Sequence, residues 1–241
     1  MAVTEREINL EKLNCEFESK SAQDVVAWAL EEFHPSVALA CSFQIEDMAV
    51  LDMMLKANPK ARIFTLDTGR LNPETYDVMD EVRDRYNIAI EVMFPQTEAV
   101  ETMVRESGLN LFYESVENRK QCCGVRKVEP LNRQLGTLDA WITGLRREQA
   151  VTRTALPKVE IDDGHDDMIK INPIAEWTVE QTWAYVKEND LPYNALYDKG
   201  YPSIGCAPCT RQIEPGEDIR AGRWWWENPE TKECGLHVKS S

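Results

Sequence analysis

Four cysteines of this chain stand in two pairs. Cys206 and Cys209 are two residues apart in SIGCAPCTR, and Cys122 and Cys123 are adjacent in NRKQCCGVRKVEPL. Adjacent cysteines do not bridge each other in ordinary backbone geometry. Thiols arranged two-plus-two suggest one closed tetrathiolate site made from distant parts of the chain, and zinc and iron–sulfur clusters both accept four cysteines. Zinc modules usually use two spaced CxxC knuckles, so the adjacent pair counts against zinc. Arg126 and Lys127, directly after the pair, would offset thiolate charge. A fifth thiol, Cys234, lies near the chain end in KECGLH. On a movable segment it could attack a bound substrate, carry a covalent adduct and pass it to a partner thiol; it also reads as an incidental exposed cysteine. Cys15 and Cys41 fall in apolar patterns and read as core. His34 and His165 read as surface residues, and His237 as a tail residue.

A second chemistry is cationic. Between Arg119 and Arg153 lie eight basic residues against three acidic ones, on a chain whose net charge is −15. An acidic protein offers no general surface to nucleic acid or anionic membrane, so a local basic zone fits a small anionic ligand. The bland reading is a set of solvated helix faces. Arg146 and Arg147 in TGLRREQ directly follow a strand-like run, and guanidinium forks match phosphate and sulfate; pairing with Glu148 or another local acid is the competing reading. Trp224, Trp225 and Trp226 form a run that anchors the tail or a partner, or simply packs.

The elements that must position these groups alternate. Apolar patterning predicts two helices over 5–33, the second capped by Ser21, then strands at 37–41, 62–67 and 88–94 with helices between them. Further strands are expected at 139–144 and 168–174, and a helix capped by Thr178. This alternation implies α/β architecture: a parallel sheet with helices on both faces. Ligands then sit beyond the carboxyl ends of the strands. The loops there are CSFQIED, LDTGR and TGLRREQ. The first leads into a helix whose dipole and N–H groups favour a phosphate-like group, with Ser42 adding a hydroxyl; Ser42 is also an ordinary cap. That loop carries neither a P-loop nor a GxGxxG pattern. No run of about 18 apolar residues is present, and the charged N-terminus does not read as a signal peptide, so a cytoplasmic protein is expected. There, seven cysteines read as ligands or catalytic thiols rather than disulfides.

SFQIED, LDTGRLNPETYDV, CCGVRKVEPL, WITGLRREQAVTR, GYPSIGCAPCTR, EDIRAGRWWWE and KECGLH, in this order, resemble the assimilatory adenylyl-sulfate (APS) reductases, the iron–sulfur branch of the phosphoadenylyl-sulfate (PAPS) reductase family. The resemblance covers residues 37 to 237, most of the chain. It implies a single-domain adenine-nucleotide α-hydrolase-like fold related to the ATP pyrophosphatases, with N-terminal helices (1–36), a nucleotide-binding domain (37–223) and a tail carrying the catalytic cysteine (224–241). It implies a 4Fe–4S cluster on Cys122, Cys123, Cys206 and Cys209. It implies that Cys234 attacks the sulfonyl sulfur, releases AMP and becomes an S-sulfocysteine, from which a thioredoxin- or glutaredoxin-type dithiol releases sulfite. Lys127, Arg146, Arg220 and Arg223 would contact the phosphosulfate or ribose-phosphate region. Ser42 and the turn Leu66, Asp67, Thr68, Gly69 would hold the nucleotide.

The first loop departs from the SxGxDS of the ATP pyrophosphatases, with Gln44 and Asp47 at the Gly and final Ser positions. An ATP-dependent sulfur-transfer enzyme of the same superfamily and a non-catalytic zinc-stabilised module are the alternatives to a reductase. The preference between APS and PAPS and the oligomeric state, homo-oligomers included, are open at this level.

Overall fold

The computed structural model describes residues 9–149 and 154–228. Six strands form one sheet in the order β3-β2-β1-β4-β6-β5. These are β1 (Val37–Ala40), β2 (Arg62–Leu66), β3 (Glu91–Met93), β4 (Ala140–Ile142), β5 (Val159–Asp162) and β6 (Met168–Ile171). Every pairing is parallel except that of β5 with β6. The chain runs from β1 through β2 to β3 on one side and then crosses back to β4 on the other side of β1. The crevice between β1 and β4 is therefore the switch point at which such sheets bind ligands.

Side-chain alternation along the strands builds a core on each face. Val37 and Leu39 of β1 and Ala140 and Ile142 of β4 face α2 (Ala22–Phe33) and α3 (Ile45–Ala57). Ala38, Phe64 and Trp141 face the other way, onto Leu131 and Leu135 of α7 (Glu129–Leu135). Ser21 and Thr178 cap α2 and α8 (Val179–Glu188), each in a reciprocal capping box. α4 (Pro73–Tyr86) opens on a proline suited to the first turn. The N-terminal helices join the main core: Phe17, Val25, Val26 and Ala29 are buried in it.

Several expectations need correction. The sequence reading placed no strand at Val159–Asp162, yet β5 is there, paired antiparallel to β6. The connection between them is too short for a crossover helix, so a hairpin is the available geometry. β5 is an edge strand, and the Asn14 side chain of α1 (Leu10–Phe17) pairs with it: Nδ2 donates to the Val159 carbonyl at 2.7 Å and Oδ1 accepts its N–H at 2.9 Å. β6 ends at Ile171 because Pro173 lies just beyond and cannot donate to a ladder. Cys15 is exposed, not core. Leu10, Leu13, Asn14 and Phe17 form the inward stripe of α1, and Cys15 falls off it. His165 is only 10% exposed at its side chain and lies 3.0 Å from Asp162; its ring meets Trp141 edge-on.

Candidate active site

Beyond the carboxyl ends of β1, β2 and β4 opens a cavity of about 300 Å³. Its walls include Ser42, Leu66, Trp141, Arg146, Lys127, Arg220 and Arg223. Two of the loops picked out by the sequence, CSFQIED and TGLRREQ, thus converge, and LDTGR reaches the cavity only through Leu66. The walls are unequal: Phe64, Leu66, Leu71, Leu131 and Trp141 give apolar surface, and Lys127, Arg220 and Arg223 bring cations from elsewhere in the chain.

The first loop is internally satisfied. Asp47, in the first turn of α3, accepts the Ser42 N–H at 2.6 Å and the Ser42 hydroxyl at 2.5 Å through Oδ2. Gln44 donates from Nε2 to the Ser42 hydroxyl at 3.1 Å, while its Oε1 accepts the Ile204 N–H at 2.9 Å, tying the loop to the segment that leads into Cys206. Burial raises the Asp47 carboxyl to about 6, against the lowering effect of the Ser42 hydrogen bonds.

Arg146 lines the cavity, but its guanidinium is committed: Nη2 meets Glu46 at 2.8 Å, with both side chains largely buried. Glu148, the acid next in sequence, is farther at 3.6 Å and exposed. Arg147 turns away to Glu18, just beyond the end of α1, at 2.6 Å and the Leu156 carbonyl at 2.8 Å. Asp67, Thr68 and Gly69 do not line the cavity. They form a strut behind it. Asp67 accepts the Gly69 N–H at 2.7 Å and the Tyr76 hydroxyl at 3.0 Å, and Gly69 takes a positive φ of 70°. Thr68 Oγ1 lies 3.2 Å from the Cys206 sulfur, and the Thr68 carbonyl accepts from Arg126 at 2.6 Å.

That strut leads to a second, smaller cavity, and all four paired cysteines line it. Cys122 and Cys123 close α6 (Val116–Cys123), which continues through a single π-helical stretch, Gly124–Val128, into α7. Lys127 and the cysteines line the same cavity; Cys123 and Lys127 have ordinary i,i+4 spacing, and the wider π turn brings Cys122, five residues before Lys127, to the same side. Cys206 and Cys209 flank a short 3₁₀ turn, with the Cys209 N–H bonded to the Cys206 carbonyl at 2.9 Å. Arg70, Arg119, Arg126 and Lys127 line the same cavity. Burial pushes the Cys209 thiol up to about 12, with Cys206 adding to the rise, and burial also raises Cys122. Buried sulfurs that disfavour one another's charge would need a metal centre to hold them as thiolates. Among the described residues no three of His, Cys, Asp and Glu sit tightly enough to enclose a single metal ion. Four soft donors around one cavity, ringed by cations, fit a larger thiolate-bound cluster.

The two cavities share a wall: Lys127, Arg223 and Trp224 line both. Arg223 lies flat against Gly205, where any Cβ would collide with the guanidinium. The Trp224 ring meets the guanidinium groups of Arg223 at 4.7 Å and Arg119 at 4.8 Å. Trp226 rests on Tyr113 at 4.5 Å, and Glu227 grips Arg119 through two hydrogen bonds of 2.9 and 2.8 Å. The tryptophan run therefore anchors the chain beside the cysteines. Cys234 and His237 lie outside the described residues.

The strand order, with its cavity at the switch point, defines a doubly wound α/β protein that binds ligands beyond the carboxyl ends of its strands. At the level of fold, the FMN adenylyltransferase of Candida glabrata, solved with FAD and inorganic pyrophosphate, matches with a TM-score of 0.53 over 93% of this chain and 84% of its own, at 14% identity. The phosphoadenosine phosphosulfate reductase domain matches residues 36–212, and the chain belongs to that family. An adenosine 5'-phosphosulfate reductase of Burkholderia cepacia is 53% identical over 215 residues, 89% of this chain and 86% of the relative. The PAPS reductase of Candida auris, solved as a phosphate complex, matches with a TM-score of 0.74 at 30% identity, over 88% of this chain and 100% of that one.

Proposed function

We propose that the protein reduces adenylyl sulfate to sulfite and AMP, with a thioredoxin- or glutaredoxin-type dithiol as the reductant, in sulfate assimilation. One observation carries the reading: the nucleotide-sized cavity and the four-cysteine cavity share the wall made by Lys127, Arg223 and Trp224, and the chain toward Cys234 is pinned at that wall. The kinship with the Burkholderia cepacia reductase supports the same activity.

The apolar surfaces of Leu66, Leu131 and Trp141 would receive the adenine. Arg146, its charge already met by Glu46, would serve the nucleoside half beside Ser42. Lys127, Arg220 and Arg223 would take the phosphosulfate, whose charge and geometry suit guanidinium and ammonium donors. Asp67, Thr68 and Gly69 would act by holding the turn in place rather than by touching the ligand.

Cys234 follows Asn228 by only six positions in the sequence, a reach of at most about 22 Å. The Cys234 thiolate attacks the sulfonyl sulfur; the sulfur–oxygen bond to the phosphate breaks, and AMP departs with the electron pair. A thiolate of the dithiol then attacks the Cys234 sulfur. Sulfite leaves with the bond's electrons, and the second thiol resolves the mixed disulfide, so sulfur is reduced as the dithiol is oxidised. Cys122, Cys123, Cys206 and Cys209 would hold a 4Fe–4S cluster, which when bound supplies a fixed charge beside Lys127. A cytoplasmic setting belongs to the same proposal. Among the described residues no helix is long and apolar enough to cross a membrane.

Anaerobically purified protein, assayed in parallel with APS and PAPS plus thioredoxin, tests the assignment. Sulfite from APS is the expected result. Turnover of ATP to AMP and pyrophosphate without sulfite from either substrate would overturn it in favour of ATP chemistry.

A further inference from the structure

Ser42, Asp47 and Gly144 meet where β1 and β4 hand the chain to their loops, at the switch point of the sheet. In this place a parallel sheet ordinarily turns backbone N–H groups and a helix N-terminus toward a ligand anion. Here the chain supplies the anion itself. Oδ2 of Asp47 takes both the N–H and the hydroxyl of Ser42, at 2.6 and 2.5 Å. Gly144 of the facing loop lies close against the same carboxylate, and its backbone N–H favours the charged form. A Cβ on Gly144 would collide with Oδ1, so the two loops can close over the carboxylate only with glycine there. The next donor of the α3 terminus is also engaged, since the Ile45 N–H reaches the Tyr197 hydroxyl at 3.2 Å. Asp47 is 7% exposed, so the seat is built and enclosed rather than a surface contact.

We infer that Asp47 is a specificity-determining residue: its carboxylate occupies the phosphate seat of the first loop, so that nucleotides needing to rest a phosphate there, nucleoside polyphosphates above all, are rejected. A ligand must then place its anionic end against Lys127, Arg220 and Arg223 on the other wall. A phosphate brought to the first loop would meet a fixed like charge and donors already in use, and both effects disfavour it. The inference rests on reading the cavity as an adenine-nucleotide site.

The test is calorimetric titration of the cluster-bearing full chain with pyrophosphate alone and, separately, with AMP. Asp47→Ser and Asp47→Ala both vacate the seat, and either suffices if the other does not fold. Asp47→Asn removes the charge but keeps an oxygen in the seat. Pyrophosphate should bind at least tenfold tighter to a vacated variant than to the wild type, and Asp47→Asn should gain threefold at most. Equal affinity in wild type and vacated variants, or a gain in Asp47→Asn as large as theirs, would overturn the role assigned to the seat. The AMP arm separates the two layers: a wild type that does not bind AMP refutes the nucleotide reading of the cavity, while the pyrophosphate comparison still decides the role of Asp47.

Discussion

Glu227→Ala should unfasten the end of the described chain. The carboxylate and the Arg119 guanidinium are 2% and 1% exposed at their side chains and meet at 2.8 Å. Removing one partner of a buried ion pair costs roughly 3–5 kcal/mol, because the charge left behind loses its compensation in a site poor in water. For a chain of this size 1 kcal/mol moves Tm by about 2–4 °C, so the variant should melt about 6–20 °C lower under anaerobic conditions. Replacing both partners with apolar residues, Arg119→Met with Glu227→Leu, should recover most of that loss, since no charge is then buried. Glu227 lies seven residues before Cys234. Loosening this anchor should therefore also slow adduct formation on Cys234 by about tenfold, the scale of about 1.4 kcal/mol of lost positioning, with AMP affinity little changed. A drop below about 2 °C with unchanged kinetics would show that the pair neither stabilises the segment nor positions the tail.

Other outcomes follow from the same geometry. Single Ser replacements of Cys122, Cys123, Cys206 and Cys209 should abolish brown colour and iron content, because a hard alkoxide is a poor ligand among sulfides; full iron in all four variants would sink the cluster assignment. Lys127→Ala, Arg220→Ala and Arg223→Ala should each weaken APS binding by about one to two decades, the worth of one charge-assisted contact, and unchanged affinity in all three would remove that wall from the site. Asp47 is raised from 3.8 to about 6, so the folded state holds its proton more tightly than the unfolded state does. Its stabilising contribution is whole below the unfolded value and is lost as pH rises through about 6. Asp47→Asn, which cannot ionise, should therefore gain about 1.5 kcal/mol on the wild type between pH 5 and pH 8, read from Tm at the two pH values; a pH-independent difference would contradict this.

Much of the frame was legible in the sequence because its signals are local. The helix read over IEDMAVLDMMLKA is α3, Ile45–Ala57, and Ser21 and Thr178 cap as expected, since an N-cap is decided within four residues. Two of the three strand-end loops, CSFQIED and TGLRREQ, meet at the cavity as expected, because parallel topology places them at one sheet edge, whereas LDTGR reaches it only through Leu66. What was not legible depends on distant partners. Arg146 looks like a ligand fork in TGLRREQ, yet its acid is Glu46, one hundred residues away. The commitment of Ser42 to Asp47 required the facing Gly144, which only the fold brings near. β5 was hidden because a two-strand hairpin with polar alternation reads like a loop. Glu227 gave no sign in the sequence that it was more than a surface acid.

The account turns on Cys234, and the most direct measurement is the mass of the peptide that carries it after the anaerobic protein meets one equivalent of APS without any dithiol. The account predicts a single burst of AMP and the added mass of one SO₃ group on that peptide, lost again with release of sulfite when thioredoxin is supplied. Sulfite production by a protein that never carries the group on Cys234, or undiminished turnover by Cys234→Ser, would contradict it.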